Sequence, residues 1–264
     1  VTKDYVLNLE VVLPSGDIIW TGANVLKNST GYNLTQLMVG SEGTLGIITK
    51  IVFRLIPYPT QDVSMLIPFP SFEKACEAVS AVFRAGITPS ALEFMERDAI
   101  DWTMKFTDIS LPIEDDIQAH LLVEVDGNDM DVLFKDCERI ATVMEEHDCS
   151  EILFADSASQ KDQLWRLRRA VGEAVKSNSI YKEEDTVVPR AELPKLLRGV
   201  KKIGEKHGFS SVCYGHAGDG NLHINIVKGS MSDEAWKNDL TKGIRELFEL
   251  TVSLGGTLSG EHGI

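Results

Sequence analysis

The residues best suited to chemistry cluster toward the C-terminal end, in Tyr214-Gly215-His216-Ala217-Gly218-Asp219-Gly220-Asn221-Leu222-His223-Ile224-Asn225. Two of the six histidines, three glycines and three amide or carboxylate side chains fall within this stretch. Val212 and Cys213 before it, and Ile226 and Val227 after it, draw it into a sheet, where polar side chains need a purpose or a partner. Further on, a glycine-flanked loop carries Glu261 and His262. Two histidines and a carboxylate with one position left open match a catalytic zinc site, and iron or manganese uses similar donors. His216, His223 and Glu261 are the candidate metal ligands. His262 is then a free imidazole beside the metal, suited to general-base work. The plainer reading is satisfied polar residues in turns, which is the usual fate of a lone histidine. On an unbroken strand the separation of His216 from His223 aims them at opposite faces, so Gly218 and Gly220 must supply a turn or bulge that re-aims one of them. Asn225, two beyond His223, shares its face.

A second glycine-bearing segment is Gly40-Ser41-Glu42-Gly43-Thr44-Leu45-Gly46, which leads into the apolar run from Ile47. Glycines at this spacing expose backbone N–H groups to a phosphate or flavin, or simply form a tight turn. The pattern is neither the dinucleotide fingerprint nor a P-loop. Arg166, Arg168 and Arg169 follow Trp165; such a run is ordinarily a solvated face, but one arginine turned inward grips a carboxylate bidentately. Lys182 is a second candidate cation. The acidic runs Glu114-Asp115-Asp116 and Glu183-Glu184-Asp185 read as solvated.

These residues need a scaffold. Tyr5 to Leu13 reads as a strand, and Pro14-Ser15-Gly16-Asp17 as a turn into Ile18-Ile19-Trp20. After a proline-punctuated segment, with a boundary near Pro57, strands and helices alternate. Phe72, Ala75, Cys76, Val79, Val82 and Phe83 line one helix face, capped by Ser71. Ser157 with Gln160 opens a long helix running to about Ser177. Val187 and Val188 form a short strand, Leu193 to His207 a helix ending at Gly208, and Asp233 to Leu254 a last helix. The fold class is α+β, an antiparallel sheet with helices on one face.

The net charge of −14 weighs against a nucleic-acid partner. No apolar run reaches the roughly 20 residues that span a bilayer. Four scattered cysteines without a Cys-x-x-Cys pair read as buried thiols in a reducing compartment, hence a cytoplasmic location. The chain begins without an initiator Met and stops inside its Glu261-His262 loop, as expected of a fragment.

Leu26-Lys27-Asn28 with Gly31-Tyr32, the run from Gly40 to Ile48, Trp165 with Arg168, Tyr181-Lys182, the histidine stretch and Ser259 to Ile264 together resemble the FAD-linked D-2-hydroxy-acid dehydrogenases and glycolate oxidase large subunits of the vanillyl-alcohol-oxidase type. The resemblance implies the end of a flavin-binding domain over 1–57, a substrate or cap domain over 58–230, and a returning helix and loop over 231–264. The first half of the flavin domain is expected to be missing. It implies FAD contacts from Gly40, Glu42, Gly43, Thr44, Gly46, Ile47 and Asn221, and substrate contacts from Arg168, Lys182 and Asn225. It also implies the metal set His216, His223 and Glu261, with His262 as the base that acts on a small 2-hydroxy acid. An iron–sulfur subunit is an expected partner in electron transfer. Gly172 departs from the hydroxyl residue of the hydroxyglutarate enzymes, which leaves lactate- or glycolate-sized acids. A metal hydrolase and a non-catalytic α+β subunit of a redox complex are the alternatives.

Overall fold

The computed structural model describes residues 2–155 and 157–263. By its internal contacts the chain divides into two compact units, one running to Tyr58 and the other from Pro59 to His262.

In the first unit, β1 (Val6–Val12) lies between β2 (Ile18–Trp20) and β3 (Ile47–Phe53), antiparallel to both. The turn read from the sequence joins β1 to β2, and the structure places its Gly16 at positive φ. The apolar run after Asn33 is a short helix, α1 (Leu34–Met38), because the Asn33 side chain accepts the Gln36 N–H and caps it. Leu9, Val11 and Met38 form the core of this unit. Ile47, Ile51 and Phe53 on β3 are exposed.

The second unit is built on β4 (Gln61–Phe69), α2 (Phe72–Arg84), β5 (Ala91–Glu96), α3 (Arg97–Phe106), β6 (Ala119–Gly127), α4 (Met130–Glu145), β7 (Leu153–Phe154) and α5 (Ala158–Asn178). It continues with β8 (Tyr181–Val187), α6 (Leu193–His207), β9 (Ser210–Gly215), β10 (Asn221–Val227), α7 (Asp233–Asn238) and α8 (Leu240–Ser253). Its seven strands make one antiparallel sheet in the order β7-β4-β6-β5-β9-β10-β8.

The α+β class stands, but helices cover both faces of the sheet rather than one. Alternate strand residues separate into two cores. Met65, Ile67, Phe94, Leu121 and Ile224 pack with α2, α4, α6 and α8, while Leu66, Met95, Leu122 and Tyr214 pack with α3 and α5. Central strands apolar on both faces show little period-2 alternation, so the second layer is hidden in the sequence.

Two boundaries also shift. The last helix breaks at Asp239 into α7 and α8. The short strand expected at Val187–Val188 begins at Tyr181, so the run Glu183-Glu184-Asp185, read as solvated, is part of β8. Glu184 and Asp185 are buried.

Candidate active site

β9 and β10 form a hairpin, and a single turn of 3-10 helix over Ala217–Asp219 joins them. Gly220 closes the turn at φ +76, and the turn re-aims His216 relative to His223. Tyr214 stands opposite His223 in the register, and Asn225 opposite Val212. Directly paired residues of antiparallel strands share a face. On the other side of β10, Asp185 pairs with His223 and Glu183 with Asn225. One sheet face therefore collects Glu183, Asp185, Tyr214, His223 and Asn225.

The returning loop completes the group. Glu261 Oε1 lies 3.5 Å from His216 Nε2 and 3.5 Å from His223 Nε2. Each of these three residues presents a ligand atom within 4.8 Å of the others, and so do Glu183, His223 and His262. The first set is the better prepared for a cation. His216 Nδ1 is bound 2.9 Å from Glu93 Oε1, which leaves Nε2 as its donor. The His262 ring stacks on His223 with centroids 5.1 Å apart.

Asp185 holds the loop in place. Its Oδ2 accepts the backbone N–H groups of Gly260, Glu261 and His262 at 2.9, 2.7 and 3.0 Å. Its Oδ1 accepts Asn221 Nδ2 at 2.6 Å and lies 3.5 Å from His223 Nδ1. Gly260 permits this approach, since a Cβ there would lie 2.5 Å from Asn221 Nδ2 and 2.8 Å from Val187 Cγ2. Thr257 forms a bridge to Val187 just before the loop.

Arg168 comes from α5, where Leu164, Leu167, Arg168, Val171 and Val175 form the buried stripe. It is the inward arginine of its run; Arg166 and Arg169 are exposed, beside Asp108 and Asp162. Its Nε donates to Glu93 Oε2 at 2.9 Å, with Nη2 2.7 Å from the same oxygen. The guanidinium lies 5.0 Å from the Tyr214 ring centroid.

Charge and burial set the protonation of these groups. Burial would raise the Glu93 carboxyl, but the hydrogen bond from His216 and the charge of Arg168 outweigh it and hold Glu93 below its ordinary range. The same hydrogen bond raises His216. Burial pushes His223 down to about 4, against the pull of Asp185, which keeps it a neutral donor. Asp185 is held at about 2, because the N–H groups of Glu261 and His262 and the Asn221 amide overcome the opposing effect of burial. Burial, then Glu183, drives Tyr214 up to about 12.

The expected residues thus fall into three groups. His216, His223, Glu261, His262, Arg168 and Asn225 are brought to one face of the sheet. Lys182 is not: it pairs in register with Ile226, whose side chain belongs to the core on the opposite face, and it sits 3.3 Å from Glu184. One residue along a strand reverses the face, so Glu183 is the β8 residue on the site side. Asn221, expected at the flavin, has its Nδ2 bound to Asp185 and the Thr186 carbonyl, while its Oδ1 has no partner among the described residues. Gly40, Glu42, Gly43, Thr44, Gly46 and Ile47 lie in the first unit. There Gly40, Glu42 and Gly43 have positive φ, Thr44 binds back to the Ser41 carbonyl, and Ile47 is exposed. A Cβ on Gly46 would lie 2.6 Å from Val11 Cγ1, so this glycine lets the loop enter β3 beside β1. Ile264 lies outside the described residues.

Sequence reasoning missed Glu93, Glu183, Asp185 and Tyr214. Glu93 carried a signal, a carboxylate inside the apolar strand Ala91-Leu92-Glu93-Phe94-Met95. Tyr214 lies inside the histidine stretch, but nothing in its spacing singles it out.

A sequence profile of the FAD linked oxidases, C-terminal domain, matches residues 58–264. The chain belongs to this family. It is 36% identical over its whole length to a D-lactate dehydrogenase of Anaerostipes hadrus and covers 56% of that protein. It is 35% identical over its whole length to glycolate oxidase subunit GlcD of Bacillus subtilis, again covering 56%. A D-lactate dehydrogenase of Archaeoglobus fulgidus is 36% identical over 99% of the chain. The chain thus spans about half the length of these curated relatives. Among solved structures, p-cresol methylhydroxylase with bound substrate superposes with a TM-score of 0.72 at 15% identity, over 97% of this chain and 57% of that one. Alkyldihydroxyacetonephosphate synthase gives 0.64 at 17%, over 97% and 49%. The chain therefore shares its fold with these two proteins over nearly its whole length. No helix among the described residues is long and apolar enough to cross a membrane.

Proposed function

We propose that the full-length protein oxidises a small D-2-hydroxy acid of lactate or glycolate size to its 2-keto acid, with FAD and a divalent metal. The observation that supports this most directly is the convergence of His216 Nε2, His223 Nε2 and Glu261 Oε1 beside a stacked, exposed imidazole and a buried arginine. The donor set fits zinc, and also iron or manganese. When bound, the metal supplies positive charge at the substrate hydroxyl oxygen, and FAD accepts the hydride from Cα.

Charge supports the metal. Glu93, Glu183, Asp185 and Glu261 surround the two histidines, with Arg168 the cation on the same face. A site so rich in carboxylates repels an anionic substrate unless a cation joins it. The remaining work falls to this chain's own side chains. Arg168 attracts the substrate carboxylate, Asn225 offers a buried amide, and His262 takes the hydroxyl proton as Cα loses its hydride. Together these remove the two electrons and two protons that separate a hydroxy acid from its keto acid.

Gly172 supports the smaller substrates. It offers no hydroxyl one turn from Arg168 to hold a second carboxylate, and a Cβ there would lie 3.1 Å from the Tyr214 hydroxyl. The flavin contacts of the Gly40–Ile47 loop, an iron–sulfur partner subunit and a cytoplasmic location belong to the same proposal.

The test is His262→Asn in the full-length protein. It should retain visible flavin absorbance and lose bleaching of that absorbance by D-lactate. Bleaching at the wild-type rate refutes the assignment.

A further inference from the structure

We infer that Glu93 is a positioning residue for the metal centre: it fixes which nitrogen His216 offers to the cation and is itself locked in place by Arg168. This inference rests on the metal site proposed above and goes beyond it, because Glu93 is not among the proposed ligands and lies on a different strand from either histidine.

The geometry is specific. Glu93 is 6% exposed and sits on β5, next to β9 in the sheet. Its two oxygens have separate partners: Oε1 lies 2.9 Å from His216 Nδ1, and Oε2 accepts Arg168 Nε–H at 2.9 Å, with Nη2 2.7 Å away in ion-pair contact but not hydrogen-bonded. His216 needs such a restraint more than His223 does. It sits at the end of β9, where the 3-10 turn begins, and its side chain is 41% exposed against 6% for His223. His223 is fixed within β10 by neighbours on both sides. Without Glu93, the His216 imidazole is free to rotate about its side-chain bonds and to offer either nitrogen.

A hydrogen bond from Nδ1–H to a carboxylate places the proton on Nδ1 and the lone pair on Nε2, the atom 3.5 Å from Glu261. Arg168 completes the restraint, since its Nε donates to one carboxylate oxygen and its charge holds that oxygen in place, which leaves the other free for His216. The arginine assigned to the substrate carboxylate is therefore also part of the scaffold of the metal site.

The experiment measures zinc affinity by chelator competition on the full-length protein after removal of bound metal, for wild type, Glu93→Gln, His216→Ala and the double variant. In Glu93→Gln the amide oxygen goes to Arg168 and the N–H₂ faces His216 Nδ1, so the imidazole loses its acceptor and zinc binding should weaken by about 10- to 100-fold. His216→Ala should weaken it at least as much. Adding Glu93→Gln to His216→Ala should change nothing further, because Glu93 acts only through that imidazole. A general structural role would instead make the two losses add, and that outcome overturns the inference. So does wild-type zinc affinity in Glu93→Gln while His216→Ala fails to bind. Wild-type affinity in His216→Ala removes the metal site itself, and the inference with it. If Glu93→Gln folds poorly because Arg168 is left buried without a counter-charge, Glu93→Leu with Arg168→Met removes the acceptor and the charge together. The same weakening of zinc binding is expected there, and wild-type affinity in that variant overturns the inference.

Discussion

Replacing Asp185 with asparagine tests how the ligand loop is held. In the folded protein the carboxylate accepts three backbone N–H groups of residues 260–262 and the Asn221 amide, and its side chain is 3% exposed. The carboxyl is held at about 2 against an ordinary 3.8. At about 1.4 kcal/mol per unit, that preference for the charged form corresponds to roughly 2 kcal/mol. The sign follows from the depressed value: the stabilisation is complete at neutral pH, starts to fall below about 4 and is lost as pH drops through about 2. The amide introduced by Asp185→Asn would keep one acceptor oxygen but would turn its N–H₂ toward either Asn221 or the loop, where every neighbour is also a donor. The loop should therefore open more easily by about 2 kcal/mol, which speeds amide exchange at residues 260–262 by roughly 30-fold at neutral pH. Hydrogen exchange of the peptide carrying Ser259–Gly263, read by mass spectrometry in the full-length protein, measures this directly. Exchange within about twofold of wild type would refute the assignment of Asp185 as the loop's anchor.

Other perturbations follow from the same contacts. Gly260→Ala forces a Cβ against Asn221 and Val187, so it should loosen the same loop by about 1–3 kcal/mol in the same exchange measurement. Lys201→Met leaves Glu96 buried after losing its cation at 2.8 Å, and urea unfolding should show a loss of about 3–5 kcal/mol at neutral pH. Burial already raises the Glu96 carboxyl despite Lys201, so the variant should recover part of that loss as pH falls and Glu96 takes up a proton. His120 is buried, and burial with the charge of Arg97 lowers it to about 4 from 6.5. It should cost the wild type about 3 kcal/mol as pH falls from about 6.5 through about 4, and His120→Leu should flatten that part of the stability profile.

Much of the site was legible because its chemistry is concentrated in short segments. The histidine stretch and the Glu261-His262 loop announced two parts of one centre, since neither carries enough apolar residues to be plain core. Arg168 was singled out from its neighbours only by the family resemblance. The structure supplies the reason, since it occupies a position of the buried stripe of α5 while Arg166 and Arg169 do not. Asn225 followed from the two-residue period of a strand.

The acidic run on β8 escapes a sequence reading because a carboxylate that accepts several N–H groups looks, in one dimension, the same as one facing water. Lys182 misleads through the same strand. The residue types alone favour a cation for a carboxylate substrate, but register places Ile226 opposite Lys182 and Asn225 opposite Glu183. That pairing turns the lysine to the opposite face of the sheet, where it stays exposed beside Glu184, and the glutamate toward the histidines.

The sequence by itself determined which atoms the site has to work with: two imidazoles in one glycine-broken stretch, a carboxylate and a third imidazole on one loop, and a run of three arginines on one helix. Those follow from local composition and from helix and strand periods, which depend only on neighbours along the chain. Tertiary structure alone decided which residues orient them. Glu93 reaches His216 from the neighbouring strand, and Asp185 reaches the loop across the sheet edge, with a sequence separation of 123 for the first pair and 76 between Asp185 and Glu261. Contacts at that separation are set by strand order and register, and these are properties of the assembled sheet.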